Sequence, residues 1–211
     1  MGIAKRYLIQ MMKAARRKSI GSQRNPETRT AVLQAARDIM ANGGIAKFSI
    51  EAVARQARAG KPTIYKWWNG KAGLLLDLHQ STAPDIEATN AGSLREDIAG
   101  FLVNLIDHWH SDDAGDIFRA VIAEAQVDQK SRTAFGDYIA GRRAVLAGMV
   151  DAAVSRGEIN GGADIDVLCD ILSGLALQRL LSGRDLSVKE AGAIADVVID
   201  GIVGQSNGAS L

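Results

Sequence analysis

Apolar positions along this chain recur every three to four residues, and no stretch alternates apolar with polar residues over a useful length. The first clear element opens at Asn25-Pro26-Glu27. Asn25 can cap, Pro26 suits the first helical position, and Glu27 faces the positive helix end. Val32, Ala35, Ala36, Ile39 and Met40 then repeat at helical spacing until Asn42-Gly43-Gly44 ends the helix. Phe48 is the next apolar anchor, and Ser49 caps a two-turn helix with Ile50, Val53, Ala54 and Ala57 as its buried stripe. A tight connection, Arg58-Ala59-Gly60, leads to a third short helix over 61–68. Pro62 falls in its first turn, where N–H groups lack helical partners anyway. After Asn69-Gly70 a longer helix opens at Lys71 and carries Leu74, Leu75, Leu76 and Leu78 towards Pro84.

Beyond residue 90 the same period continues. Ile98, Phe101, Leu102, Leu105 and Trp109 make one stripe, and Ile117, Val121, Ile122 and Ala125 another. Phe135, Tyr138, Arg142, Val145, Leu146, Met149 and Ala153 lie along a long helix, punctuated by Arg156-Gly157 and Gly161-Gly162. Leu168, Ile171, Leu172, Leu175 and Leu180 follow, then Ile194, Val198 and Ile202. The pattern predicts an all-α chain: an N-terminal helix-turn-helix domain of three helices, then a larger helical domain. The expected division is an arm over 1–24, a head over 25–70, a body over 71–203 and a tail over 204–211.

Composition sharpens this picture at one point, the distribution of charge. The 211 residues carry a net charge of +1. Residues 1–80 hold 15 Lys or Arg against four acids (Glu27, Asp38, Glu51, Asp77), giving +11, whereas residues 81–211 hold 10 bases against 20 acids, giving −10. A basic head gains by releasing counterions from a polyanion, and an acidic body avoids one. The arm alone holds seven bases and no acid, a composition that suits phosphates or a minor groove. A single cysteine, Cys169, stands among Val167, Leu168, Ile171 and Leu172 and reads as core; no disulfide can form within the chain. No uncharged apolar run approaches the length of a membrane span. The run 7–12 is too short for a secretion signal and is followed by Arg16-Arg17-Lys18. The expected location is the cytoplasm, with no membrane contact.

The stretch from Phe48 to Leu75 carries the chemistry. The helix over 61–68 presents Lys61, Thr63, Tyr65 and Lys66, two cations, a hydroxyl and a phenol within two turns, which suits phosphate anchoring combined with base contact in a major groove. Ile64 and one of the two tryptophans must face inward to hold that helix on its neighbours. This stretch resembles the DNA-binding domain of the TetR/AcrR family of repressors. The family pattern is a Thr or Ser cap, an alanine-rich helix, a turn, Lys-x-Thr-x-Tyr-x-x-Phe/Trp, and a lysine opening the fourth helix. Ser49, Ala52, Ala54, Ala57, Lys61, Thr63, Ile64, Tyr65, Trp68 and Lys71 match it, over roughly residues 26–76. Three positions depart: Arg58 stands where the family has Gly, Gly60 where it has Ser, and Pro62 where a small residue is usual. Either the turn geometry differs, or Arg58 tolerates a left-handed conformation while adding a phosphate contact.

The resemblance implies roles. Lys61, Pro62, Thr63 and Lys66 face the groove; Tyr65 and Lys71 hold phosphates; Ser49 caps and contacts phosphate; Trp67 is either a backbone contact or a packing residue. Arg58, a departure from the family, joins the candidate DNA-binding residues through the second of its two alternatives. The C-terminal body resembles the family's regulatory half more faintly, chiefly in FRAVIAEAQVD and Arg142-Arg143. It implies a homodimer through the last two long helices, over 164–182 and 188–202, with Gly174, Ala176, Gly192 and Ala195 permitting close approach. It also implies a pocket for a small hydrophobic or amphipathic ligand, with Phe101, Leu105, His108, Trp109, Phe118, Ile122 and Tyr138 as candidate walls. The function expected is transcriptional regulation, a repressor released from a palindromic double-stranded DNA operator by ligand, with no cofactor. Two other classes compete. An enzyme would need a catalytic or metal constellation, but His79, His108 and His110 are the only histidines, and no phosphate-binding glycine loop or Gly-x-Ser-x-Gly is present. A membrane-surface or protein adaptor would use the basic N-terminus instead.

Overall fold

The computed structural model describes residues 26–82, 91–111, 113–159 and 164–206, with side chains to residue 201. The basic arm over 1–24 and most of the expected tail lie outside the described residues. Nine helices and no strand are present among them: α1 (Pro26–Lys47), α2 (Ile50–Gln56), α3 (Lys61–Trp67), α4 (Gly70–Thr82), α5 (Leu94–His110), α6 (Ala114–Val127), α7 (Gln129–Arg156), α8 (Ile165–Ser182) and α9 (Val188–Ser206). Two expected ends move. Glycine does not stop α1 at residue 44 but kinks it, with Gly44 at φ 58° and ψ −166°, and the helix resumes to Lys47. The last helix runs to Ser206, so the tail does not begin at residue 204.

The chain divides into two compact units, and the division does not fall at Lys71. Among the described residues the first unit holds 26–82, 109–111 and 113–138: α1 to α4, α6 and the start of α7. The helix opening at Lys71 therefore belongs with the head, not the body. The reason is visible in α4. Ala72, Leu74, Leu75, Leu76, Leu78 and His79 are all buried, so most of the helix's circumference is covered, with Gln80 and Ser81 left to solvent. α1 packs against one flank and α6, its most extensive partner, against another. Val32, Ala36, Val53, Ile64, Ile117 and Val121 are fully enclosed in the same core, each contributing roughly 1.5–3 kcal/mol for the larger side chains.

The second unit holds 91–108, 139–159 and 164–206. Leu94, Ile98, Leu102, Ile106, Leu146, Met149 and Leu172 fill its core. Polar ties fix the helix ends. The Leu94 N–H donates to Glu158 at 2.7 Å, and the buried Asp97 accepts from the Ala91 N–H at 2.8 Å and from Arg156 at 3.3 Å. Arg143 forks onto Asp166 and Asp170 of α8, 2.6 and 2.7 Å away. Ser187 and Glu190 form a reciprocal cap at the start of α9: each side chain accepts the other residue's N–H. That cap and the Arg179 guanidinium hold the Glu190 carboxyl down to about 2. Cys169 is buried as expected, and desolvation raises its thiol to about 11, far from a reactive thiolate.

Small residues on α8 and α9 do not share one face. Ala176, Gly192 and Ala195 are buried in the unit's own core, where Gly192 admits the guanidinium of Arg95. Gly174 alone of the four is exposed, with open space where a Cβ would stand. It lies in a row with Val167, Ile171 and Leu181, which are 53%, 50% and 58% exposed.

Candidate nucleic-acid interface

The interface is built from the two short helices and the turn between them. Ser49 adopts an extended conformation, and its hydroxyl accepts the Ala52 N–H at 3.1 Å, which starts α2. At the other end the Ala59 N–H reaches the Ala54 carbonyl at 2.9 Å, and the Arg58 N–H reaches that of Arg55 at 3.3 Å. This pair of bonds is a Schellman closure, and it places Arg58 at the position that must be left-handed. Its φ is 51°, the one positive value for a non-glycine among the described residues. The turn therefore keeps the expected geometry, and Arg58 bears its strain while exposing a guanidinium.

Gly60 then caps α3 through its backbone, its carbonyl accepting the N–H groups of Thr63 and Ile64 at 2.9 and 3.3 Å. Ile64 is wholly buried. The inward tryptophan is Trp68: it is 5% exposed, and its indole N–H donates to Asp77 Oδ2 of α4 at 2.7 Å. The same carboxylate holds Arg29 of α1. Asp77 thus pins α3, α4 and α1 together, a role that sequence reasoning did not give it.

With Ile64 and Trp68 inward, Lys61, Pro62, Tyr65 and Lys66 are exposed and Thr63 is half-buried beside them. Lys61 is bonded to Glu51 of α2 at 2.8 Å; this contact raises the lysine and lowers the carboxyl from their ordinary ranges. Trp67 is half-buried, its ring 5.5 Å from that of Trp68, and it lines a cleft of about 460 Å³ with Arg29, Asp77 and Asp137. The residue is packed on one side and open on the other. Lys71 is less available than its position suggests, since its amine binds Glu124 of α6 at 2.7 Å. Sequence reasoning overlooked Lys47 and Arg55, two exposed cations that line a shallow cleft together with Ser49.

The candidate ligand residues fall in both units. Phe101, Leu105 and His108 are buried in the second unit, where desolvation and then Arg142 lower the His108 imidazole. Trp109, Phe118, Ile122 and Tyr138 belong to the first. There Phe118 stacks on Trp109 at 5.2 Å and on His79 at 5.1 Å and lies 5.3 Å from Tyr138; Ile122 is half-buried. His79, which the sequence places beside Leu78 in the polar second half of its helix, is the member that reasoning missed. The indole N–H of Trp109 is buried without a hydrogen-bond partner among the described residues.

Comparison with known proteins finds relatives of this chain over both of its parts. A family model described as "Bacterial regulatory proteins, tetR family" matches residues 32–78, and one described as "Tetracyclin repressor-like, C-terminal domain" matches 88–198. The HTH-type transcriptional regulator YdeS of Bacillus subtilis is 31% identical over 167 residues, covering 78% of this chain and 84% of its own. A DNA-binding transcriptional repressor TetR of Mycobacteroides abscessus is 29% identical, covering 82% and 93%. The crystal structure of the TetR family transcription regulator SCO0332 superposes with a TM-score of 0.68 at 31% identity, covering 83% of this chain and 98% of that one.

Proposed function

This chain belongs to the TetR family of bacterial regulatory proteins, which are DNA-binding transcriptional regulators and not enzymes, and on that premise we propose that it is a repressor that binds a palindromic operator as a homodimer. The observation that carries the reading is the cationic face of α3. Ile64 and Trp68 anchor the helix from below, leaving Lys61, Pro62, Thr63, Tyr65 and Lys66 towards solvent. Thr63 and the two lysines supply base and phosphate donors, while Tyr65, Ser49, Arg58 and Lys71, with Trp67 at the edge, hold the strands' backbones. Lys47 and Arg55 extend the same cationic surface beyond Ser49. The described residues contain no helix long and apolar enough to cross a membrane, and the working location is the cytoplasm.

Dimerisation is assigned to α8 and α9. Val167, Ile171, Gly174 and Leu181 form an exposed stripe on α8, and Val197 is 74% exposed on α9. An apolar stripe left open on a helix surface suits a second copy of the chain. Two copies then place two α3 helices in successive major grooves, about 34–36 Å apart. Release by a small hydrophobic or amphipathic ligand is supported within the first unit by the aromatic cluster of Trp109, Phe118, Tyr138 and His79, with the Trp109 N–H as a donor for a polar group. Such a ligand acts only by binding one conformer better than the other.

Selection of bound fragments from random duplex DNA, followed by anisotropy titration at moderate salt, tests the reading. A two-fold-symmetric consensus bound by a dimer is expected. Equal retention of all duplexes, or a monomer at binding concentrations, overturns it.

A further inference from the structure

The start of α4 meets carboxylates of the protein's own chain. Lys71 Nζ donates to Glu124 Oε1 at 2.7 Å, and both side chains are mostly covered, at 25% and 28% exposure. One turn further along, Asp128 caps the end of α6. Its Oδ2, which accepts the Ser131 N–H at 2.7 Å, lies 3.7 Å from where a Cβ on Gly70 would stand. The Asn69 amide reaches the Lys130 carbonyl at 3.5 Å. Hydrogen bonds from Ser131 hold the Asp128 carboxyl below its ordinary range, so it stays ionised at neutral pH. The two acids are four residues apart, and their oxygens converge on the segment where Lys71 presents its charge.

We propose that Glu124 competes with an operator phosphate for Lys71 and thereby sets the affinity and salt dependence of DNA binding. The inference rests on the reading that Lys71 contacts phosphate. An ammonium held by a carboxylate can meet a phosphate in two ways. It can leave Glu124, stranding a mostly covered carboxylate without its cation, or it can draw a second anion up beside the first. Both weaken the phosphate contact, so the contact is attenuated by construction and not simply available. Glu124 is therefore a positioning residue: it touches no DNA and acts through Lys71.

The test is anisotropy titration of the selected operator between 50 and 200 mM salt, using the full chain. The variants are Glu124→Gln, Lys71→Ala, the double variant, and Asp116→Asn as a control for charge, since Asp116 is an exposed acid on the same helix. Glu124→Gln is expected to tighten binding about fivefold and to steepen the salt slope by a fraction of the roughly 0.9 that one full phosphate contact contributes, the rest being already expressed by the attenuated contact of the unaltered protein. Asp116→Asn is expected to do neither, and Lys71→Ala is expected to erase the gain. The proposal is overturned if Glu124→Gln binds no more tightly than Asp116→Asn, or if the gain persists without Lys71. If Lys71→Ala leaves the slope of the unaltered protein unchanged, the phosphate reading of Lys71 fails as well, which separates the two failures. Glu124→Met keeps the side-chain length with apolar packing and gives the same readings if the glutamine variant folds poorly.

Discussion

Replacing Arg58 with glycine separates strain from charge at the centre of the helix-turn-helix. Arg58 closes α2 in a left-handed conformation, φ 51°, required by the two backbone bonds to Ala54 and Arg55. A residue with a Cβ costs roughly 1–2 kcal/mol there, and glycine costs nothing in the folded state. Glycine also enlarges the entropy of the unfolded chain, which returns about 0.4–1 kcal/mol of that gain. The net expectation is a stabilisation of about 0.5–1 kcal/mol, which in a chain of this size moves the melting midpoint up by about 1–4 °C. Arg58→Ala keeps the strain and leaves stability unchanged. Both variants remove the guanidinium, so both should weaken operator binding and lower the salt slope by about 1 if Arg58 meets a phosphate. Denaturant titration at fixed protein concentration, with anisotropy on the same samples, reads both effects. A glycine variant no more stable than the alanine variant refutes the strain argument. Unchanged affinity in both refutes the contact.

Other expectations follow from the same geometry. Trp68→Phe removes the indole N–H that reaches Asp77. It should cost roughly 1–3 kcal/mol in denaturant titration, because a mostly covered carboxylate loses a donor; a neutral result means that Arg29 alone holds Asp77. Ile171→Arg places a charge in the exposed stripe of α8 and should give a monomer in sedimentation that loses operator binding while keeping its helical circular dichroism. A dimer that persists moves the interface elsewhere. Acid should also weaken the second unit. Glu190 titrates near 2 when folded, so unfolded chains bind more protons below its ordinary range, and stability falls as pH drops from about 5 towards 2. Glu190→Gln should be less stable at pH 7 and should flatten that part of the acid profile; an unchanged profile assigns the acid loss to other carboxylates.

Helix content, the order of the helices and the reading helix follow from local rules that the chain carries in its own spacing. Ser49 caps because a hydroxyl can reach an N–H three residues on; Pro62 is tolerated because the first turn lacks acceptors; Ile64 is buried as the aliphatic residue between Thr63 and Tyr65 on α3. The family pattern rests on those local positions, which is why it was legible without coordinates. Other features came from distant chain. Trp68 rather than Trp67 turned inward because Asp77 offers it an acceptor, and α4 joined the first unit because α6 covers its far side. Glu124, 53 residues from Lys71, became its partner through that same packing. The sorting of Ala176, Gly192 and Ala195 into the core, with Gly174 left outside, was likewise decided by which faces α8 and α9 present to the rest of their unit. Capping and periodicity act over four residues or fewer, so sequence alone can specify them. Which charge meets which carboxylate depends on long-range packing, and only the assembled helices decide it.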